Sequence, residues 1–251
     1  MGAIFTCSID DGHPSDLKMA DLLARHGLTG TFYVPLANRE GLPVMEPAQV
    51  RDLAGSFEIG SHTLDHSYLK SISDDEARRQ VVEGKHRLED ELGQTVPGFC
   101  YPGGRFDKRH VNMVRDTGFA YARTTRNLCF HPGQAPHEMP TTIQFYPHGK
   151  GVYVRNFVSG GEWATRMPGL HDALRPREWT GRLYALFDRA VRDGSVFHLW
   201  CHSHDIDAIE GWQEMDRFLA YAATGTKKND RLNNHELAAR FFKCINPGVS
   251  S

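Results

Sequence analysis

No stretch of this chain approaches the roughly 20 apolar residues needed to cross a bilayer, and no block of Lys and Arg stands out from a balance of 29 basic against 31 acidic side chains. The first absence excludes a membrane-spanning helix. The second, with a formal net charge of -2, leaves no footprint of a nucleic-acid or anionic-membrane binder. The five cysteines, Cys7, Cys100, Cys129, Cys201 and Cys244, are odd in number and lack a C-x-x-C spacing. Free thiols in a reducing compartment are expected, and structural zinc is not. Strand-like sequence follows Met1 at once. With that Met as the start there is no room for a signal peptide, and a cytoplasmic location is the expectation. The first turn lacks the G-x-G-x-x-G phosphate loop, and the chain has no internal repeat, linker or low-complexity tract. What is present, 251 residues at 40% hydrophobic and 24% charged, suffices for one substantial core, so a single domain over 1-251 is expected.

The stretch Ile4 to His13 ends a short apolar run in two adjacent carboxylates, Asp10 and Asp11. Successive strand side chains point to opposite faces, so both cannot aim at one spot while the strand stays regular; Gly12 allows a turn there. Like charges side by side repel unless a cation lies between them or their roles separate. The reading is that Asp11 binds a metal and Asp10 acts as a base beside it; an Asp-Asp-Gly turn before an Asp-capped helix is the plainer one.

Beyond it, β and α patterns alternate. Helices are expected at 17–26, at 46–54, after the capping box Ser73-Asp-Asp-Glu76, at 107–117 and at 178–192. Strands are expected at 30–35, 57–60, 98–101, 119–124 and 196–201. Between Leu128 and Gly181 the pattern blurs: Thr141 to Phe145 and Val152 to Phe157 read as strands, and the segment, with Trp163 and several aromatics, is a candidate to cap a site or to meet a partner subunit. Ala208 to Ala223 and Asn234 to Lys243 read as helices that close the structure. Repeated βα units in one chain of this length predict a parallel barrel, with side chains gathered at the C-terminal ends of its strands; a doubly wound sheet is the competitor.

Four polar clusters sit where strands should end: Asp10-Asp11, His62 to His66, Tyr101 to Arg105 and His202 to Asp207. In a barrel all four converge. His62 and His66 are four apart, so one helical turn would place both imidazoles on one side, the spacing of H-x-x-x-H zinc sites; an ordinary solvated helix face has the same spacing. With Asp11 they form two nitrogen ligands and one oxygen, a set suited to zinc or a similar divalent ion. His202, at a strand tip, is placed to give up a proton, whereas His198 lies deeper and reads as a satisfied core residue. His204, Asp205 and Asp207 either orient His202 or belong to loop. The Pro102-Gly-Gly turn lets backbone N–H groups approach a substrate oxygen.

In this order the clusters resemble the polysaccharide deacetylase family, the NodB-homology carbohydrate esterases, from Ile4 to about His204. The first motif appears as Ser8-Ile-Asp-Asp-Gly12, the metal motif as His62-Thr-Leu-Asp-His66 and the last as Leu199-Trp-Cys-His202. The third, usually Arg-x-Pro-x-Gly, reads Cys100-Tyr-Pro-Gly-Gly104, so the customary Arg is absent, and no Asp-x-x-Asp-Trp motif is recognisable. Arg123, at the end of a later strand, is the candidate replacement partner of Asp10. The resemblance implies an α/β distorted (β/α) barrel, commonly seven-stranded, that hydrolyses N-acyl or O-acyl groups on sugars with one divalent metal, zinc or else cobalt, nickel or manganese. Asp11, His62 and His66 would hold the ion and Asp10 would be the base for its bound water. The oxyanion would be met at Gly103, with Tyr101 and Arg123 nearby, and His202 would be the acid. Two alternatives remain: an allantoinase-like hydrolase of a small non-sugar amide, to which the missing motifs give weight, and a non-catalytic ligand-binding barrel. Oligomeric state is open, a homo-oligomer included.

Overall fold

The computed structural model describes residues 2–242, so Lys243 and Cys244 lie outside the described residues. The first strand, β1 (Ala3–Asp10), shows why the chain folds as it does. Its alternate residues Ala3, Phe5, Cys7 and Ile9 belong to the large core shared with the surrounding helices. The others, Ile4, Thr6, Ser8 and Asp10, face inward, where Ile4 joins a second, smaller core with Tyr33, Cys100, Tyr121 and Met139. Period-two alternation thus separates an apolar outer layer from a mixed interior.

The chain continues through α1 (Asp16–Arg25), β2 (Thr31–Val34), α2 (Pro47–Ala54), β3 (Glu58–Ser61), α3 (Asp74–Leu92), β4 (Gly98–Cys100), α4 (Lys108–Asp116) and β5 (Tyr121–Arg123). It then runs through β6 (Ile143–Gln144), α5 (Lys150–Gly160), α6 (Trp163–Leu174), α7 (Trp179–Asp193), β7 (Val196–His202), α8 (Ser203–Ala208), α9 (Trp212–Thr224), β8 (Thr226–Arg231) and α10 (Asn234–Phe241). Half of the expected capping box forms: Ser73 Oγ accepts from the Glu76 amide at 3.3 Å, while the Glu76 carboxylate accepts from Arg79 and Gln80 instead of the Ser73 amide; Gly93 closes α3 in the left-handed conformation.

Seven strands form a parallel path β5-β4-β3-β2-β1-β7-β6. Its two ends meet through the segment before β6: Met139 N donates to Ala122 O at 2.9 Å, and Thr142 N to His198 O at 2.9 Å. The result is the expected distorted (β/α) barrel. The Asn234 side chain, at the start of α10, is inserted into the interior. It donates to Ser8 Oγ at 2.7 Å and Tyr33 Oη at 2.9 Å and accepts from Thr6 Oγ1 at 2.7 Å. The first turn of α10 is thereby tied to the interior of the barrel.

Two expectations change, and one strand is additional to those expected. Val152 to Phe157 is not a strand but part of α5: its β-branched residues suggest extension, yet only Tyr153 and Phe157, four apart, are buried, which is helical periodicity. The single helix expected over Ala208 to Ala223 is broken at Glu210, whose φ is 53°, and Gly211, giving α8 and α9. Strand β8, charged along Lys227, Lys228, Asp230 and Arg231, carries no apolar signal and exists because it pairs with the beginning of β1, at Ala3 and Phe5. Among the described residues no helix is long and apolar enough to cross a membrane.

Candidate active site

Register places the first two functional residues. In the β1–β7 ladder Asp10 is the partner of His202, so the carboxylate and the imidazole stand together at the tips of adjacent strands. The strand ends there: Asp11 takes φ 81° and Gly12 φ 62°, which turns the Asp11 side chain towards the barrel mouth instead of the outer face. A left-handed Asp costs about 1 kcal/mol or more and persists where surroundings over-determine it.

His62 and His66 reach the same point by a different route from the one their spacing suggests. Residues 62–66 form a turn, not a helix, with Thr63 at φ 68° and His66 at φ 61°. Gln80 of α3 anchors it, its Oε1 accepting from the Leu64 and Asp65 amides at 3.1 Å each. Gly84 of the same helix permits the approach, because a Cβ there would lie 2.8 Å from the Thr63 carbonyl carbon. The four-residue spacing succeeds because the turn folds back, not because a helical face presents both rings.

Asp11 Oδ1 lies 3.4 Å from His62 Nε2 and 3.2 Å from His66 Nε2. All three side chains are buried, and their ligand atoms fall within 4.8 Å of one another. His62 Nδ1 donates to Cys100 O at 2.8 Å, which leaves the Nε2 lone pair directed at the cluster. Burial alone would push the Asp11 carboxyl up, but contacts with the two histidines outweigh it and hold Asp11 well below the usual range. Asp11 Oδ1 is buried without a hydrogen-bond partner meeting normal geometry. An orphaned anionic oxygen facing two imidazole nitrogens fits a divalent cation.

Asp10 is held from behind. Arg123, fully buried at the tip of β5, pairs with Asp10 Oδ1, and its guanidinium is sandwiched between the Tyr33 and Trp200 rings at 5.3 and 5.1 Å. The Cys100 thiol, where the family motif has Arg, donates to Asp10 Oδ2 at 3.7 Å. Cation and carboxylate thus meet inside the barrel although the cation comes from the next strand along.

His202 is oriented by Asp205, whose Oδ2 accepts from Nδ1 at 2.8 Å, and Nε2 points into the cleft 3.9 Å from Asp11 Oδ2. Burial would lower this histidine, but the Asp205 hydrogen bond and the charges of Asp11 and Asp10 raise it to about 9. The alternatives left open for 204–207 therefore separate: Asp205 is the orienting group, Asp207 instead accepts from the Trp212 indole at 2.6 Å, and His204 stacks on His202 at 5.3 Å. His198 is buried between Ser8 Oγ at 2.6 Å and Pro140 O at 3.1 Å, and burial pushes it down to about 3, a neutral core residue.

These groups line a cleft of about 490 Å³. Gly103, with φ 58°, lies on its wall. Tyr101 does not reach it: its ring stacks on Phe106 at 4.2 Å, its hydroxyl donates to His137 O at 3.1 Å, and its amide is taken by Arg123 O at 3.3 Å. Arg123 sits behind Asp10, not on the wall. Residues that the motifs did not point to complete the lining, among them Glu40, Tyr68, Gln144, His148 and Tyr153. The Tyr68 hydroxyl donates to Glu40 Oε1 at 2.7 Å, and Glu40 Oε2 lies 3.5 Å from His66 Nδ1. Only their placement in loops after β2 and β3 hinted at this.

A parallel barrel with a carboxylate and two histidines at its mouth defines a NodB-type (β/α) barrel, and comparison with known proteins agrees. The fold is similar to that of the chitin deacetylase from the fungal pathogen Colletotrichum lindemuthianum, with TM-score 0.60 and 14% identity over 94% of this chain and 88% of that one. It is also similar to the Xyl-CE4 domain of a multidomain xylanase from the hindgut metagenome of Trinervitermes trinervoides, with TM-score 0.53 and 14% identity over 99% and 95% of the two chains. The polysaccharide deacetylase family model matches residues 4–122, and YxkH of Bacillus subtilis (strain 168) is 22% identical over 133 residues, 52% of this chain. That match covers 46% of YxkH, so the likeness spans about half the relative's length. The family-model match over residues 4–122 and the shared fold support the polysaccharide deacetylase resemblance that the motifs carry. The family match stops one residue before Arg123 and does not include His202.

Proposed function

We propose that this protein is a metal-dependent deacetylase that removes an acyl group, acetyl in the simplest case, from an N-acetylated or O-acetylated sugar. The observation that carries the reading is the convergence on Asp11 of two differently supported groups, Asp10 backed by Arg123 and His202 backed by Asp205.

Asp11, His62 and His66 would hold one divalent ion, and zinc suits their two nitrogens and one oxygen. Such an ion supplies a Lewis acid that acidifies water and polarises an acyl carbonyl. The protein's own groups do the rest. Asp10, its Oδ1 engaged by Arg123 and its Oδ2 by only the long Cys100 thiol contact at 3.7 Å, has a second lone pair on Oδ2 to accept the proton of the attacking water. Gly103 offers its amide on the wall where the acyl oxygen becomes negative. His202, raised to about 9, carries its proton at neutral pH and releases it from Nε2 to the departing amine or alkoxide, while Asp205 fixes the ring. Trp200, Tyr68 and Tyr153 wall the cleft against bulk water.

The deciding experiment is a substrate screen across N-acetyl sugars, O-acetyl esters and ureides, with metal content measured on the same preparation. About one divalent ion per chain, lost in His62→Ala and His66→Ala, with turnover of an acetylated sugar abolished in Asp10→Asn but metal retained, is the expected result. Turnover of ureides alone would favour the small-amide hydrolase, to which the Cys at motif three lends support. Metal without turnover of any compound would favour a ligand-binding barrel, and unchanged metal in both histidine variants would overturn the ligand set.

A further inference from the structure

Helices α5 and α6 lie beside the cleft, and one side of α5 lines it with Val152, Tyr153, Arg155 and Asn156. Their other side is unlike any other part of the described surface. Of the six large hydrophobic side chains that are exposed, four fall here: Val154, Val158, Trp163 and Met167, between 42% and 61% accessible. Scattered exposed apolar residues need no explanation, but a contiguous set does. This set is contiguous: Val154 and Val158 are four apart on α5, Trp163 and Met167 four apart on α6, and the Trp163 indole N–H donates to Val158 O at 3.3 Å, joining the two pairs.

The same two stripes continue into cations. On α5 the series runs Lys150, Val154, Val158; on α6 it runs Trp163, Met167, His171, Arg175, each step four residues. The apolar residues gather at the Gly161-Glu162 connection and the basic ones at the far helix ends, with exposed Arg155 flanking Val154 and exposed Arg177 beyond Arg175. Acids are withdrawn: Glu162 is engaged with Arg126 at 2.8 Å, and Asp172 is buried against Arg189 at 2.7 Å; the next exposed acid is Glu178. The hairpin is also stiff. Buried Arg166 donates to the carbonyls of Asn156, Phe157 and Gly161 at 2.7–3.1 Å and to Asn127 O at 2.8 Å, which ties the connection to the barrel.

We propose that this hairpin docks the protein on an anionic phospholipid bilayer, with Val158 and Trp163 entering the interface and Lys150 and Arg175 at headgroup level. An apolar tip with an indole, and a base where Lys150, Arg175 and Arg177 outnumber the one exposed acid named above, Glu178, is the layout that interfacial binding requires. A second copy of the chain fits less well, because a two-fold contact would set equal cations against each other. The whole-chain charge conceals the patch; its acids lie elsewhere on the surface. Docking there would hold the cleft next to the lipid surface, and the inference does not depend on the reaction proposed above.

The test is flotation of the full chain with vesicles of phosphatidylcholine alone or with about one third phosphatidylglycerol, at low and high salt. The expected result is binding to the anionic vesicles, weaker at high salt, with Val158→Asp/Trp163→Ser reducing the partition at least about tenfold while thermal unfolding stays as in the parent. Lys150→Gln/Arg175→Gln should weaken binding and flatten the salt response. Absence of binding to anionic vesicles at low salt, or equal binding by the Val158→Asp/Trp163→Ser variant, overturns the proposal. Sedimentation showing a dimer that this variant abolishes, without vesicle binding, overturns it in favour of a second copy.

Discussion

Replacing Arg123 by Met tests whether the chain has moved the family's arginine to a new strand. The pair is inside the barrel, with Arg123 0% and Asp10 2% exposed. At a contact of about 3 Å and an effective dielectric of about 20, their attraction is roughly 5 kcal/mol. Removing one partner of a buried pair costs about 3–5 kcal/mol, because the other charge is left desolvated and unpaired. Loss of the guanidinium from between Tyr33 and Trp200 adds to this, and the Met side chain recovers part of it. The expected destabilisation is therefore about 4 kcal/mol, or about 10 °C in Tm for a chain of this size, measured by urea unfolding. Asp10→Asn/Arg123→Met should be more stable than Arg123→Met alone, since the stranded charge is gone. Metal content should be unchanged, because Arg123 touches none of Asp11, His62 or His66, while turnover should be lost. A loss below about 1 kcal/mol in Arg123→Met, or a double variant as unstable as the sum of the two single ones, would refute a paired, buried Asp10.

Three further outcomes follow from named contacts. Glu58 accepts from Thr31 Oγ1 at 2.6 Å, Tyr121 Oη at 2.7 Å and the His235 amide at 3.0 Å, yet burial raises it from 4.5 to about 7. A raised acid stabilises the fold fully below its unfolded value and loses that contribution as pH rises through about 7, so unfolding free energy should fall by up to about 2 kcal/mol between pH 4.5 and 7 after allowance for partial exposure; Glu58→Gln should flatten that interval, and an unchanged slope would exclude the residue. Asp205→Asn weakens the interaction that raises His202, so the alkaline limb of the pH–rate profile should move to lower pH; a limb that stays in place would show that another group is the acid. Gly84→Ala drives a methyl against the Thr63 and Leu64 backbone, which should cost about 1–3 kcal/mol and, on the proposed ligand set, weaken the affinity for an added divalent ion about tenfold in a chelator competition; unaltered affinity would mean that the turn is not positioned by α3.

The sequence by itself determined the alternation of strands and helices, the strand tips at Asp10, Arg123 and His202, and the choice of Asp11, His62 and His66 as a candidate ligand set. These are short-range matters: side-chain periodicity, caps and turn residues act within a few positions of one another. Only the tertiary structure decided which tips face each other. Register across β1 and β7 sets Asp10 beside His202, and curling of the sheet brings Arg123 to Asp10 across 113 positions of chain. It also decided that 62–66 is a turn held by Gln80 and Gly84, that Asp205 and not Asp207 serves His202, and that Val152 to Phe157 is helical. Each of these depends on what packs from elsewhere in the chain, and a local pattern compatible with two structures holds no information about its distant neighbour.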